Sequence, residues 1–598
     1  MSYRLTHIRR KLDPDYASGL EDQIMMLREE VRRLENLNAF VPILDEDNPL
    51  GQQQSHARSD DAAAIPPNMA TAIEDVSALM WRLSIGSSGE ESFIGPSGNF
   101  CFPIAYCDDP DVRVEKTTAT SSPGLAPGME LLWSDQANMS SVIHHLLDRF
   151  SQLINPIHQF LDGETLDQIH GNNLSPGLRL VKTAVVAAGA LFSDDANGKA
   201  FGDEAAAVVD AVALQLCRQS PSISTIQTLS IMCWRELGLE QHNMAWMYNS
   251  MCASLALHLG LPVSASEDIG LSSPEHDTLF RESRVRDVRL RSLWSSVFMD
   301  RIATSLLGRT CMLPWKRIKA HSFISSIGPS PSLDELAFDH QCRLWFIHDQ
   351  YMDRIYSFDF SELSNTDKSR ILLDARDQLY SFRRQLHPQV QLDRNSINPS
   401  MIYLHMSYHM SHILIHRPYL KGAAQSDMYK LCVWSMSSAA SSIVRLLREY
   451  RKVAPLDQIS PFAVHSVLTA AVTHLCNATS THQTLRSQSI AWFRVCFDAL
   501  RAMQQRWIKA KRGIRLLQEL ARRWQVMVAL PLQHGFPPLS DPAWETLEEM
   551  PELELPPNAG YDGNETGIPV IFPDIFNQAS MDPFDMAFYQ ENLFSEAC

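Results

Sequence analysis

His405, His409, His412 and His416 stand at i, i+4, i+7 and i+11, so a helix through them carries all four imidazoles on one face. Two imidazoles four residues apart can hold zinc, but peptidases that use this spacing place a glutamate between them as base. Here Met406, Ser407 and Tyr408 intervene. The stripe reads as packed or hydrogen-bonded side chains, with a metal site as the alternative. Asp300 and Arg301 lie within an apolar stretch, where charge is costly unless paired. Asp300 is expected to cap, or to pair with an arginine of another helix such as Arg309, and a catalytic carboxylate is the other reading. Asp108, Asp109 and Asp111 suit the magnesium-diphosphate chemistry of an all-α cyclase, yet Pro110 interrupts any helix there and no second metal motif follows. Residues 93–100, FIGPSGNF, are turn-forming but match neither a nucleophile elbow nor a phosphate loop. Between Arg501 and Arg523 the chain carries Arg506, Lys509, Lys511, Arg512, Arg515 and Arg522, with Glu519 as the one acid. That run reads as a solvated helix face, or as a nuclear-import or nucleic-acid patch. No constellation argues for an enzyme, and none calls for a cofactor.

The elements that would position these groups are helical. Ser220-Pro221 predicts a helix start, a capping residue followed by proline where its missing N–H costs nothing. Ile226, Leu229, Cys233 and Leu237 then form one apolar stripe, broken at Gly238. Tyr248, Cys252, Leu255 and Leu259 form a second, stopped at Gly260-Leu261-Pro262. A third helix is Arg-rich from Arg281 to Arg291, turns apolar through Leu293, Trp294, Val297 and Phe298, and is expected to end near Gly308. Further helices are predicted at 137–154, 177–192, 203–218, 335–358, 368–385, 399–416, 427–450, 460–478, 485–507 and 512–530. The fold class is all-α, a large helical array with short loops.

At 598 residues, 45% hydrophobic and 20% charged, the composition is that of a soluble globular protein. A net charge of −17 argues against non-specific nucleic-acid affinity of the whole chain. The eleven cysteines are scattered without any C-x-x-C, as expected of thiols used as small hydrophobes in a reducing compartment. Arg4, Arg9, Arg10 and Lys11 lead into charged sequence rather than an apolar signal core, and the longest apolar run, 184–192, is too short to span a bilayer. No membrane association is expected.

Three segments in this order resemble the regulatory middle domain of fungal-specific transcription factors: PSISTIQTLSIMCWRELG, AWMYNSMCASLALHLGL and ESRVRDVRLRSLWSSVFMDRIATSLLGRTCMLP. LHMSYHMSHILIHRPYL, Leu404 to Leu420, resembles that domain's late helix ending in His-Arg-Pro. Members usually carry an N-terminal six-cysteine cluster that holds two zinc ions and orients a reading helix on DNA. No cysteine precedes Cys101, so the cluster is absent from this sequence, which is expected to begin just downstream of it. Zinc is therefore expected only with an upstream cluster. What the resemblance implies is a nuclear regulator of RNA polymerase II genes with promoter DNA, coactivators and a second copy as partners. An interaction or co-regulator protein of the same fold, without direct DNA contact, is the alternative.

The flanks complete the organisation. Leu20, Ile24, Leu27, Val31 and Leu34 alternate by four and three, the seam of a short coiled coil. Such a seam serves either a dimerisation zipper, as the resemblance implies, or a helix packed on its own domain. Arg4, Arg9, Arg10 and Lys11 ahead of it could contact phosphates. After Arg523 there is no Lys or Arg, and thirteen Asp and Glu from Asp541 onward are interleaved with aromatics including Phe572, Phe576, Phe584, Phe588 and Phe594. Acids that keep aromatics exposed suit an activation segment that folds on a coactivator, and a disordered tail is the alternative. The expected domains are a basic linker and coil at 1–40, a flexible linker at 41–128, the regulatory domain at 129–535 and an acidic-aromatic tail at 536–598.

Overall fold

Short polar side chains in front of several apolar stripes set where those helices begin. In a computed structural model, Asp162, Ser175, Ser222, Ser332, Ser364, Asn398 and Ser426 each accept a hydrogen bond from the backbone N–H three residues on. Each such cap satisfies a donor that the helix leaves orphaned, and is worth about 1 kcal/mol. The structure describes residues 67–77, 82–85, 91–94, 136–219, 221–263, 276–319, 322–327, 330–392, 397–421 and 426–531.

Helix α1 is Pro67–Ser77, followed by a two-stranded antiparallel hairpin of β1, Arg82–Ile85, and β2, Glu91–Ile94, in which Leu83 faces Phe93. Next comes α2, Gln136–Arg149, which widens into a π turn at Phe150–Ile154 and tightens again into α3, Asn155–His158. Gln159 ends it with a left-handed backbone, and Asn155 braces the reversal by bonding both the N–H and the C=O of Leu161. Then follow α4, Gly163–His170; α5, Pro176–Gly189; α6, Ala196–Gln219; α7, Ile223–Gly238; α8, His242–His258; and the long α9, His276–Leu307. The second half is α10, Leu333–Ile355; α11, Asn365–Arg384; α12, Pro399–His416; α13, Asp427–Val453; α14, Ala463–Asn477; α15, Gln483–Met503; and α16, Ile508–Arg523. Apart from the hairpin the described fold is all-α, as the periodicity predicts.

Neighbours in sequence pack on each other, α7 on α8, α12 on α13 and α14 on α15, while α7 is also backed by α5 and α9, and α12 by α10. Gly189 of α5 lies so close to the Leu146 carbonyl of α2 that a Cβ there would stand 2.1 Å from the oxygen. Only glycine permits that crossing. The two halves share one continuous core. At their join His158 is fully buried, its Nε2 accepting from Trp234 Nε1 at 2.9 Å and its ring packed among Phe160, Phe298, Tyr403 and Phe462.

Two expectations are corrected. The cap of α7 is Ser222 rather than Ser220, because its hydroxyl reaches Thr225 N. Residues 67–77, inside the span read as a flexible linker, form α1, which packs on α14 and on the 3-10 turn Arg417–Lys421. Its anchors are few in sequence, Ala72 and Val76, and its polar partners come from the far end of the chain. Gly260, with φ of +67°, ends the second stripe as expected.

Candidate functional site

The Asp300–Arg301 pair of α9 forms a closed polar centre. Both side chains are almost fully buried and paired with each other. Asp300 also accepts from Asn249 Nδ2 of α8 at 2.8 Å and from the backbone N–H groups of Met312 and Leu313, each at 3.0 Å. Arg301 donates to the Leu313 carbonyl, lies 3.4 Å from Asp349 of α10, and stacks its guanidinium 4.4 Å from the centre of the Trp315 ring. Arg309, the expected partner, instead covers the ring of Trp246 at 4.7 Å. An aspartate that accepts from so many fixed donors holds the turn after α9 against α8 and α10. It has no free lone pair for proton transfer, so the catalytic reading has no support in this geometry.

The four histidines of α12 do share one face, and the structure gives them different surroundings. His405 Nε2 bonds the Val390 carbonyl at 2.9 Å, and His416 Nδ1 bonds the His412 carbonyl at 2.7 Å. His412 stacks on His416 and packs edge-on against Tyr408. Burial holds His405 at about 4 and His416 at about 3, and pushes His409 and His412 well below the ordinary imidazole range. These rings are neutral at physiological pH, so they act as hydrogen-bonding and packing groups. Among the described residues, no group of three or more His, Cys, Asp or Glu is placed to hold a metal ion. His409 and His412 border a cavity of about 180 Å³ between α11, α12, α13, α14 and α15.

Part of the basic run is drawn into the fold. Arg506 bonds the carbonyls of Leu191 and Asp457 and pairs with Asp194 at 2.8 Å. Arg512 pairs with the buried Glu240 at 2.6 Å, and Lys509 is itself buried, its ammonium lowered to about 8 by that burial. Arg523 and Trp524 both bond the carboxylate of Asp75 on α1, at 2.6 and 2.8 Å, and Arg417 donates to the Val76 carbonyl. These members act as clamps, whereas Arg501, Lys511 and Arg522 stay on the solvated helix face. Sequence reasoning missed Asp75, since nothing in the eleven residues of α1 points to partners 448 positions away. It also missed His158, whose role depends on a π turn that no spacing rule marks.

The seam residues Leu20, Ile24, Leu27, Val31 and Leu34, the cations Arg4, Arg9, Arg10 and Lys11, and the aromatics Phe572, Phe576, Phe584, Phe588 and Phe594 lie outside the described residues. Among the described residues no helix is long and apolar enough to cross a membrane.

Residues 143–341, from α2 into α10, match the fungal specific transcription factor domain. The chain is 24% identical over 482 residues to the nitrogen assimilation transcription factor nirA of Emericella nidulans, covering 74% of this chain and 51% of that protein. It is 22% identical over 508 residues to the nitrogen assimilation transcription factor nit-4 of Neurospora crassa, covering 76% of this chain and 43% of that protein. Over 165 residues it is 27% identical to the acetamidase regulatory protein of Emericella nidulans, covering 27% of this chain and 20% of that protein. The chain thus spans about half the length of the two nitrogen assimilation factors.

Proposed function

We propose that this chain, which belongs to the fungal specific transcription factors through the domain at residues 143–341, is a nuclear regulator of genes read by RNA polymerase II. One observation carries the reading: the similarity to transcription factors covers about three quarters of the chain, well beyond the domain at residues 143–341. The names of those relatives extend it to a target class, genes for the use of nitrogen compounds. In this reading the helical body is a regulatory platform, with its charged groups spent on holding helices together. The heptad seam through Leu27 and Leu34 pairs two copies, which presents them to promoter DNA as a dimer. The acidic-aromatic tail recruits a coactivator through Phe584 and Phe588.

A second reading is a co-regulator of the same fold that does not itself touch DNA. Both readings place the output in transcription, and one experiment tests that shared part. The full chain fused to a heterologous DNA-binding domain is expected to raise a reporter driven by that domain's site, and Phe584→Ala with Phe588→Ala to cut the signal several-fold. A reporter that stays at background with the wild-type fusion well expressed overturns the activating role.

A further inference from the structure

The cavity bordered by α12 and α13 is built for charge that the protein does not itself supply. Its lining includes Arg383 of α11 and Arg445 of α13 and contains no Asp or Glu. Neither arginine forms an ion pair with a carboxylate among the described residues, in contrast to Arg235, Arg291, Arg506, Arg512 and Arg523, each of which has one. Arg445 instead rests over the ring of Trp492, with its guanidinium 5.6 Å from the ring centre. Both guanidinium charges reach the same imidazole: after burial, Arg383 and Arg445 are among the causes that keep His409 neutral.

The polar atoms on the lining that are buried with no hydrogen-bond partner include Ser435 Oγ and Trp492 Nε1. Such groups are rare in folded proteins because each forfeits its water without compensation. With two guanidinium groups that no carboxylate pairs, they make a site with donors to spare and no anion of its own. Trp434, Trp492, Tyr380 and Tyr408 supply the aromatic part of the wall, and serines of α13 much of the remainder. About 180 Å³ of free space far exceeds the roughly 10–15 Å³ that one water needs on this scale.

We propose that this cavity binds a small organic carboxylate, with its anionic end between Arg383 and Arg445 and its apolar or aromatic body against Trp434 and Trp492. A planar carboxylate matches the guanidinium fork in two parallel hydrogen bonds, which a neutral amide of the same shape cannot reproduce. An aromatic body fits the indole walls, which a bare inorganic anion leaves unfilled. Because the pocket is walled by five helices of the second half, an occupant would tie α11 to α13 and α15. The inference concerns binding alone and is independent of how the chain meets DNA.

Isothermal titration calorimetry of the full chain with sodium benzoate, its neutral isostere benzamide, and inorganic phosphate tests it, each at up to about 10 mM. Benzoate is expected to bind at least about tenfold more tightly than either of the others. Arg383→Gln, at the exposed rim, and Arg445→Gln, deeper in, are each expected to weaken benzoate about tenfold. Ser438→Leu, which fills the cavity with an apolar side chain, is expected to abolish binding while the thermal melt stays cooperative. If Arg445→Gln does not fold, the rim variant and the cavity-filling variant still read the site. Absence of benzoate binding, equal binding of benzamide, phosphate binding as tight as benzoate, or benzoate binding unchanged in Arg383→Gln and Ser438→Leu would each overturn the proposal.

Discussion

Asp300 shows how much of the fold can rest on one carboxylate. It is inaccessible to solvent, and its two oxygens serve Arg301, Asn249 and the N–H groups of Met312 and Leu313. Asp300→Ala strands a buried guanidinium and two backbone donors together, and removal of one partner of a buried pair typically costs about 3–5 kcal/mol. Arg301→Met leaves Asp300 with its three other donors and gives Trp315 an apolar neighbour, so it is expected to cost clearly less. Urea unfolding of the two variants checks the order, and equal losses would show that the ion pair, rather than the carboxylate's hold on the turn after α9, carries the stability. Sequence alone marks Asp300 as a charge in need of partners. Of the two roles expected for it, the capping of backbone N–H groups is met at the turn after α9, whereas Arg309 is not its ion-pair partner.

At the scale of elements, what the sequence makes legible is what is encoded locally. Helix α12 was expected at 399–416 and is found at Pro399–His416, since Asn398 and Pro399 announce its start within two residues. Helix α13 was expected to end at 450 and runs on to Val453. By contrast α6 begins at Ala196, seven residues before its predicted start at 203, where Gly198 and Gly202 blur the period. Helix α4 is too short for its period to show, and α1 carries only two core anchors, so both were missed. The cavity shows the same division. The histidine face was legible, while Arg383, Arg445 and Trp492 come together from three other helices and share no pattern. For α1 the far partners decide, which gives a test. Asp75→Ala removes the acceptor of Arg523 and Trp524, and amide exchange in residues 69–77 is expected to speed up about tenfold or more, with α7 and α9 unchanged. If protection in α1 stays the same, Ala72 and Val76 hold it by apolar contact alone.

For the whole molecule, neutral histidines make stability depend on pH. His158 and His416 are lowered to about 3, and His340, His348, His405 and His474 to about 4, in each case chiefly by burial. The unfolded chain takes up protons on these rings near pH 6.5, whereas the folded one stays unprotonated until far lower. Between those values the unfolded state binds more protons, so stability is fully present above about pH 6.5 and is lost as pH falls through the window below it. Asp210, Glu236 and Asp339, raised chiefly by burial, act in the opposite sense and offset part of this. Each fully buried imidazole can contribute up to about 1.4 kcal/mol per pH unit there. The melting temperature is therefore expected to drop by about 5–10 °C between about pH 7 and pH 5.5. His158→Gln, which cannot titrate, should be less stable at neutral pH, since Trp234 Nε1 then depends on an amide for its acceptor, yet it should show a shallower slope. A melting temperature flat across the window, or a slope that His158→Gln leaves unchanged, would mean that protons reach these rings in the folded state and that the join between the two halves opens to water.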